Sequence, residues 1–171
     1  MPTVMYAIGH STRTLDDFIA LLEAHAIAML VDIRTIPKSR HNPQFNSDSL
    51  QAGLESRGIA YVHMKELGGL RKPQKDSVNA GWRNASFRGY ADYMQTRAFV
   101  SAVRRLMQLG RRQRVAIMCA EGNPLRCHRS LVADALTVRK VRVLHISGKT
   151  TAREHTLTRF AHVDGTRITY P

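Results

Sequence analysis

Five short apolar runs, each followed by a polar segment, constrain the fold of this chain more than any other feature: VMYAIGH (4–10), AMLVDIR (28–34), IAYVHM (59–64), VAIMCA (115–120) and VRVLHIS (141–147). Their length and branched content suit buried strands. Between the first two, TLDDFIALLEAHAI (14–27) places Leu15, Phe18, Ile19, Leu22 and Ala26 on one helical face, and Thr14 with Asp17 makes a capping box with Asp in place of Glu. Ser47 is placed to cap a short helix over 48–57 that Gly58 ends in the left-handed conformation. Residues 90–109 read as one long helix or two abutting ones closed by Gly110, and 130–139 as another helix. Residues 65–89 are rich in Gly, Asn, Ser and basic residues and read as a long loop; the tail after Ser147 reads as a polar extension with a helical turn and a short terminal strand.

Strands alternating with helices predict one α/β domain over 1–171, with a mostly parallel sheet flanked by helices on both faces, a Rossmann-like three-layer sandwich. In such a sheet, ligands bind in the crevice beyond the carboxyl ends of the strands. The unusual polar residues follow strands: GHSTR after the first, DIRTIPKSR around the end of the second, HMKELGGLR after the third and CAEGNPLRCHR after the fourth. Four loops are expected to share one rim.

Composition narrows the class. No apolar run approaches the roughly 18 residues that cross a bilayer, and no basic segment followed by an apolar core opens the chain, so a cytoplasmic protein without a membrane partner is expected. Twenty-six Lys and Arg against 13 Asp and Glu give a formal charge of +13, a potential that draws phosphates, nucleotides and nucleic acid. The only cysteines, Cys119 and Cys127, lie in one loop, which is no disulfide framework and leaves metal ligation, nucleophilic chemistry or packing.

The segments IGHSTRTLDDFIALL, LVDIRTIPKSRHNPQFN, GIAYVHMKELGG and CAEGNPLRCHRSLVAD resemble the signature blocks of the domain of unknown function 488 family, over residues 4–147. The resemblance implies a compact α/β domain with a polar cluster assembled from those blocks; it implies no reaction.

Within the cluster, Cys127 and His128 precede the helix at 130–139, whose free N–H groups favour a thiolate or an anion, and they are candidate nucleophile and acid. Cys119 and Arg126 loosely match the strand, loop, arginine, helix order of the phosphate cradles in cysteine phosphatases and sulfurtransferases, with six intervening residues instead of five and Pro124 among them. A zinc-like alternative joins Cys119, Cys127, His10 and His63; no cofactor is otherwise expected. Arg34, Arg40, Arg71 and Arg129 offer guanidinium forks to a phosphate, or else pair with Asp32, Glu66 and Glu121 in structural ion pairs. Asp32 and Glu121 are candidate bases. Ser11 and Ser39 are read as hydrogen-bond donors, and Tyr90 with Tyr93 as either a stacking platform or core. The expectation is an enzyme-like domain binding a phosphate-bearing small molecule or nucleic acid, with a noncatalytic nucleic-acid-binding module as the alternative.

Overall fold

The computed structural model describes residues 3–171. Its sheet has the order β3-β2-β4-β1-β5-β6, formed by β1 (Val4–Gly9), β2 (Met29–Asp32), β3 (Ala60–His63), β4 (Val115–Cys119), β5 (Arg142–Ile146) and β6 (Ala152–Glu154). The first five are parallel and β6 runs antiparallel on the edge. Side chains alternate between two cores, as the pleat requires. Met5, Ala7, Val31, Val115, Ile117 and Cys119 face one layer, made by α3 (Ala85–Tyr93), α4 (Arg97–Arg112) and α5 (Arg129–Thr137). Tyr6, Ile8, Leu30, Ala116 and Met118 face the other, made by α1 (Leu15–Ala24) and α2 (Ser47–Ser56). The chain is therefore a three-layer α/β sandwich. Among the described residues no helix is long and apolar enough to cross a membrane.

Three helices stop by one device. After α1, α2 and α5, the residues Ala26, Gly58 and Lys140 adopt positive φ, and the next N–H, from Ile27, Ile59 or Val141, bonds back to the carbonyl of Leu22, Leu54 or Leu136. Each apolar pair is buried, so the same contact that ends the helix aims the chain into the following strand. At the other end of α1, Thr14 accepts from the Asp17 amide, as its sequence indicates.

Several boundaries differ from the sequence reading. The cap of α2 is Asn46, with Ser47 already helical. The 90–109 segment is two helices, α3 starting earlier at Ala85, and α4 continues through Gly110 to Arg112. Gly110 is a packing residue: a Cβ there would lie 2.5 Å from Met5 Cε. The tail forms β6 and the hairpin of β7 (His162–Asp164) and β8 (Arg167–Thr169), with no helical turn, and it buries Ile168 and Tyr170.

The long 65–89 segment is ordered by buried polar groups. Asp92 on α3 accepts from the Gln74 amide (2.8 Å), Ser77 Oγ (2.6 Å) and Asn79 Nδ2 (2.7 Å). Asn79 Oδ1 accepts from the Tyr170 amide and Gly81 N–H donates to the Tyr170 carbonyl, tying the tail to the same segment. Burial alone would raise the Asp92 carboxyl, but these three donors hold it below its usual value. Replacing Asp92 by Ala removes three hydrogen bonds and strands the buried Asn79 amide, so Asp92→Ala is expected to cost about 2–4 kcal/mol in urea unfolding and to open residues 72–84 to proteolysis; an unchanged digestion pattern would reject this anchor.

Candidate functional site

β1 and β4 are neighbours, yet the chain leaves β1 for α1 on one face and β4 for α5 on the other. The same divergence separates β2 from β4. A crevice must open at the carboxyl end of β4. The β1–β4 ladder continues into its floor, with His10 N–H donating to the Cys119 carbonyl and Ser11 N–H to the Ala120 carbonyl, both at 2.9 Å. Ser11 adopts φ +53°, unusual for a non-glycine residue, to make this turn. At Gly9 an added Cβ would lie 1.7 Å from the Glu121 carbonyl oxygen, so the loop after β4 folds directly over the backbone of β1.

A cavity of about 360 Å³ occupies the β2–β4 side of this crevice, lined by Arg34, Thr35, Ile36, Lys38, Gly69, Leu70, Ser86, Phe87 and the loop residues Cys119, Ala120, Glu121, Arg126, Cys127 and His128. Its wall is largely apolar, and Ile36 and Leu70 are exposed to 58% and 72%. Large apolar side chains left at the mouth of a cavity mark a contact surface.

The thiols form a buried pair at its base. Cys127 accepts from the Arg129 amide at 3.4 Å, at the start of α5. His128 Nε2 donates to the Ile33 carbonyl at 2.8 Å, so in the neutral ring Nδ1 is an acceptor, 3.5 Å from the Cys127 sulfur. Burial opposes ionisation of Cys119, but the hydrogen bond from Cys127, the Arg129 charge and the Glu121 backbone together lower its pKa. The hydrogen bond to Cys119, burial and the Cys119 charge raise that of Cys127. The two thiols are coupled, the Cys119 pKa being lowered and the Cys127 pKa raised, and as a thiol Cys119 donates to the Glu121 carbonyl at 3.6 Å. Cys127, the candidate thiolate at the start of α5, is a buried sulfur whose ionisation its neighbour Cys119 and burial oppose and the Arg129 amide favours.

Arg34 is buried and joined to the fully buried Asp32 through Nε (2.9 Å) and Nη2 (2.7 Å), with Nη2 also on the Phe45 carbonyl. Asp32 further accepts from the Arg34 amide and from Tyr61 OH at 2.7 Å. With both oxygens engaged, Asp32 is an orienting group for Arg34 rather than a free base. His63 Nε2 donates to the Arg34 carbonyl at 2.7 Å and acts on the same residue. Arg34 Nη1 is left buried without a partner.

Other candidates fall outside the cavity. His10 stacks on Phe45 and bonds the Ser11 carbonyl through Nδ1. Among the described residues no three His, Cys, Asp or Glu side chains are grouped to hold a metal ion, so Cys119, Cys127, His10 and His63 do not assemble the zinc-like set. Arg71 lies over the Tyr93 ring at 3.6 Å and donates to the Gly68 carbonyl, while Arg40 is exposed outside the lining. Ser39 orders its own loop through Asn46 and Asn42. Tyr90 is fully buried with its hydroxyl on the Leu67 carbonyl and is core, while Tyr93 is half-buried, bonds the Glu66 carbonyl and has one ring face covered by Arg71. Arg126, matched to Cys119 from sequence, reaches the lining, and so do Lys38, Ile36 and Leu70, which were not singled out; aliphatic residues set among basic loop residues were the available signal.

The family model for the domain of unknown function DUF488 matches residues 14–136, which include the β2 loop, the β4 loop and most of α5. The chain belongs to the DUF488 family. No curated protein and no solved structure matches it. The DUF488 match excludes the His10–Ser11 turn and everything from β5 onward.

The crevice imposes a pH dependence on folding. Burial, first among the causes, lowers the pKa of His10, His128 and His145 from 6.5, the last to about 3. Between the folded and unfolded values the unfolded chain binds more protons, so stability is full above about pH 6.5 and is lost as pH falls below it, by at most ~1.4 kcal/mol per pH unit for each histidine. Urea midpoints at pH 7.5, 6.0 and 5.0 are expected to fall progressively; a flat profile would show these rings to be solvated.

Proposed function

We propose that the cavity at the carboxyl end of β4 binds a phosphate-bearing small molecule with an apolar ring, of the nucleotide class, and presents the Cys119 sulfur to it. The observation that carries this reading is that one cavity wall combines apolar side chains with Arg34, whose buried Nη1 has no partner. A buried guanidinium N–H without an acceptor is costly, and an oxyanion supplies the acceptor. Lys38 and Arg126 add exposed positive charge at the mouth, and Ile36, Leu70 and Phe87 offer the surface for a ring. Glu121 stands on the same wall as the carboxylate available for proton transfer. The volume, about 360 Å³, lies at the lower end of the usual range for small-molecule sites.

The test pairs thermal stabilisation with alkylation mapped by mass spectrometry. A nucleoside monophosphate is expected to raise the melting temperature and to slow alkylation of Cys119. The charge reversals Lys38→Glu and Arg126→Glu together are expected to weaken it at least ~10-fold, an effect that salt diminishes. Cys119→Ser is expected to retain binding. Stabilisation by single-stranded oligonucleotides alone would favour the nucleic-acid-binding module instead, and protection by neither class would reject the cavity as a phosphate site.

A further inference from the structure

α4 carries five arginines, Arg97, Arg104, Arg105, Arg111 and Arg112, and no acidic residue. All five are exposed. Among the described residues none of them forms an ion pair with a carboxylate. The stability of the helix does not call for them. Every residue three or four places away from them on α4 is Ser, Gln or apolar, so none gains a helical ion pair, and Arg97 stands in the first turn, where the helix dipole disfavours a cation.

Their spacing makes two rows. At about 100° per residue, Arg97, Arg104 and Arg111 fall in one row and Arg105 with Arg112 in a second, about 90° around the helix. Between the rows run Ser101 and Gln108, exposed and uncharged. Sixteen residues extend this face over about 24 Å. The opposite side of α4, with Phe99, Ala102, Val103 and Leu106, is packed into the core, which fixes the rows toward solvent. A depression of about 280 Å³, lined in part by Met64, Ala98, Ala102 and Arg105, follows one flank of α4. Another of about 310 Å³, lined in part by Val100, Arg139 and Arg167, follows the other. The helix is therefore a crest between two hollows, and Arg139 and Arg167 extend its charge sideways. Glu66 is the one carboxylate in the lining of either hollow, and it forms no ion pair among the described residues.

We propose that this face of α4 docks duplex DNA of B form, the helix lying in the major groove with one arginine row toward each phosphate backbone. Five unpaired cations on one rigid face match a polyanion, and a DNA duplex carries one phosphate per about 1.7 Å of its axis. A B-form major groove, about 12 Å wide, admits an α-helix, whereas the deep and narrow major groove of an RNA duplex does not. Single strands are held by stacking on aromatic rings, and the exposed face of α4 offers none, since Phe99 is buried. Guanidinium groups on phosphates set position rather than sequence, so the binding tolerates any base order. This surface shares no lining residue with the thiol cavity; it goes beyond the cavity reading and does not depend on it.

The test is fluorescence anisotropy of the full chain with a labelled, mixed-sequence DNA duplex of about 20 base pairs, over a salt series centred near about 0.1 M. Log affinity is expected to fall linearly with log salt. Arg104→Gln/Arg105→Gln/Arg111→Gln places good helix formers at exposed positions, so the melting temperature is expected to hold while binding weakens at least ~20-fold and the salt slope flattens by about 2–3. Lys75→Gln/Lys149→Gln/Arg153→Gln removes the same charge from exposed positions elsewhere and is expected to stay within about 3-fold of the wild type. Bound protein is also expected to shield guanine N7, a major-groove atom, from dimethyl sulfate. Equal loss in the two triple variants would reduce the effect to net charge and overturn the proposal. So would tighter binding of the matching RNA duplex or single strand, guanine N7 left unshielded, or retention of poly-glutamate but not of DNA, which would make α4 a protein-facing surface.

Discussion

The close approach of the β4 loop to the backbone of β1 is the contact on which the candidate site depends. There is no room for a side-chain carbon at Gly9, where the Glu121 carbonyl lies, and the interstrand ladder extends past both strands through His10 and Ser11. This seam holds the 119–122 backbone over the end of the sheet. It thereby fixes, on one stretch of backbone, the Cys119 end of the thiol pair and the Gly122 carbonyl that accepts from the Arg129 guanidinium. Were residue 9 to carry a Cβ, the loop would have to lift, and both arrangements would lose their common wall.

Buried charge is distributed unevenly around that seam. Three buried aspartates organise the molecule, and each is saturated with donors: Asp32 by Arg34 and Tyr61, Asp92 by the 74–79 segment, Asp134 by His155, Thr158 and Tyr170. Full satisfaction of this kind fixes geometry and leaves nothing for a ligand. The buried cations are the reverse. Arg34 retains one unpartnered N–H group and Arg129 two, and the buried imidazoles of His10 and His145 each retain an unpartnered nitrogen. Apart from the Trp82 indole N–H, the unmet hydrogen-bonding capacity among the described residues belongs to these arginines and histidines, whereas the buried aspartates are closed.

What the sequence displayed follows from the range of the interactions involved. The central strands β1 and β4 are legible because they are apolar and buried along almost their whole length, and the alternation of strands with helices carried the layer architecture. Gly58 announced a left-handed helix stop, but Ala26 and Lys140 make the same stop without a glycine to mark it. Gly110 looked like a stop and is a point of close packing against Met5. The 65–89 segment lacked periodicity because its order comes from Asp92 and from Tyr170, which meets Asn79 from 91 residues away. At the site, Arg34, Cys119 and Cys127 were visible as polar residues following strands. The His145–His155–Asp134 chain was not, since its members are ordinary residues at ordinary positions until the tail folds back across α5.

The high positive charge takes on a different meaning once side chains are placed. A charge of +13 by itself describes a long-range potential, which concentrates anions without selecting among them. Selection requires donors that are dehydrated, fixed and unpaired, and exposed arginines such as Arg40 are none of these. Arg34 is fixed by Asp32 and His63 and dehydrated by burial, and Arg129 is fixed by the first turn of α5. The surface charge bears on how often an anion meets the protein, whereas Arg34 and Arg129 are the buried guanidinium groups with unmet donors.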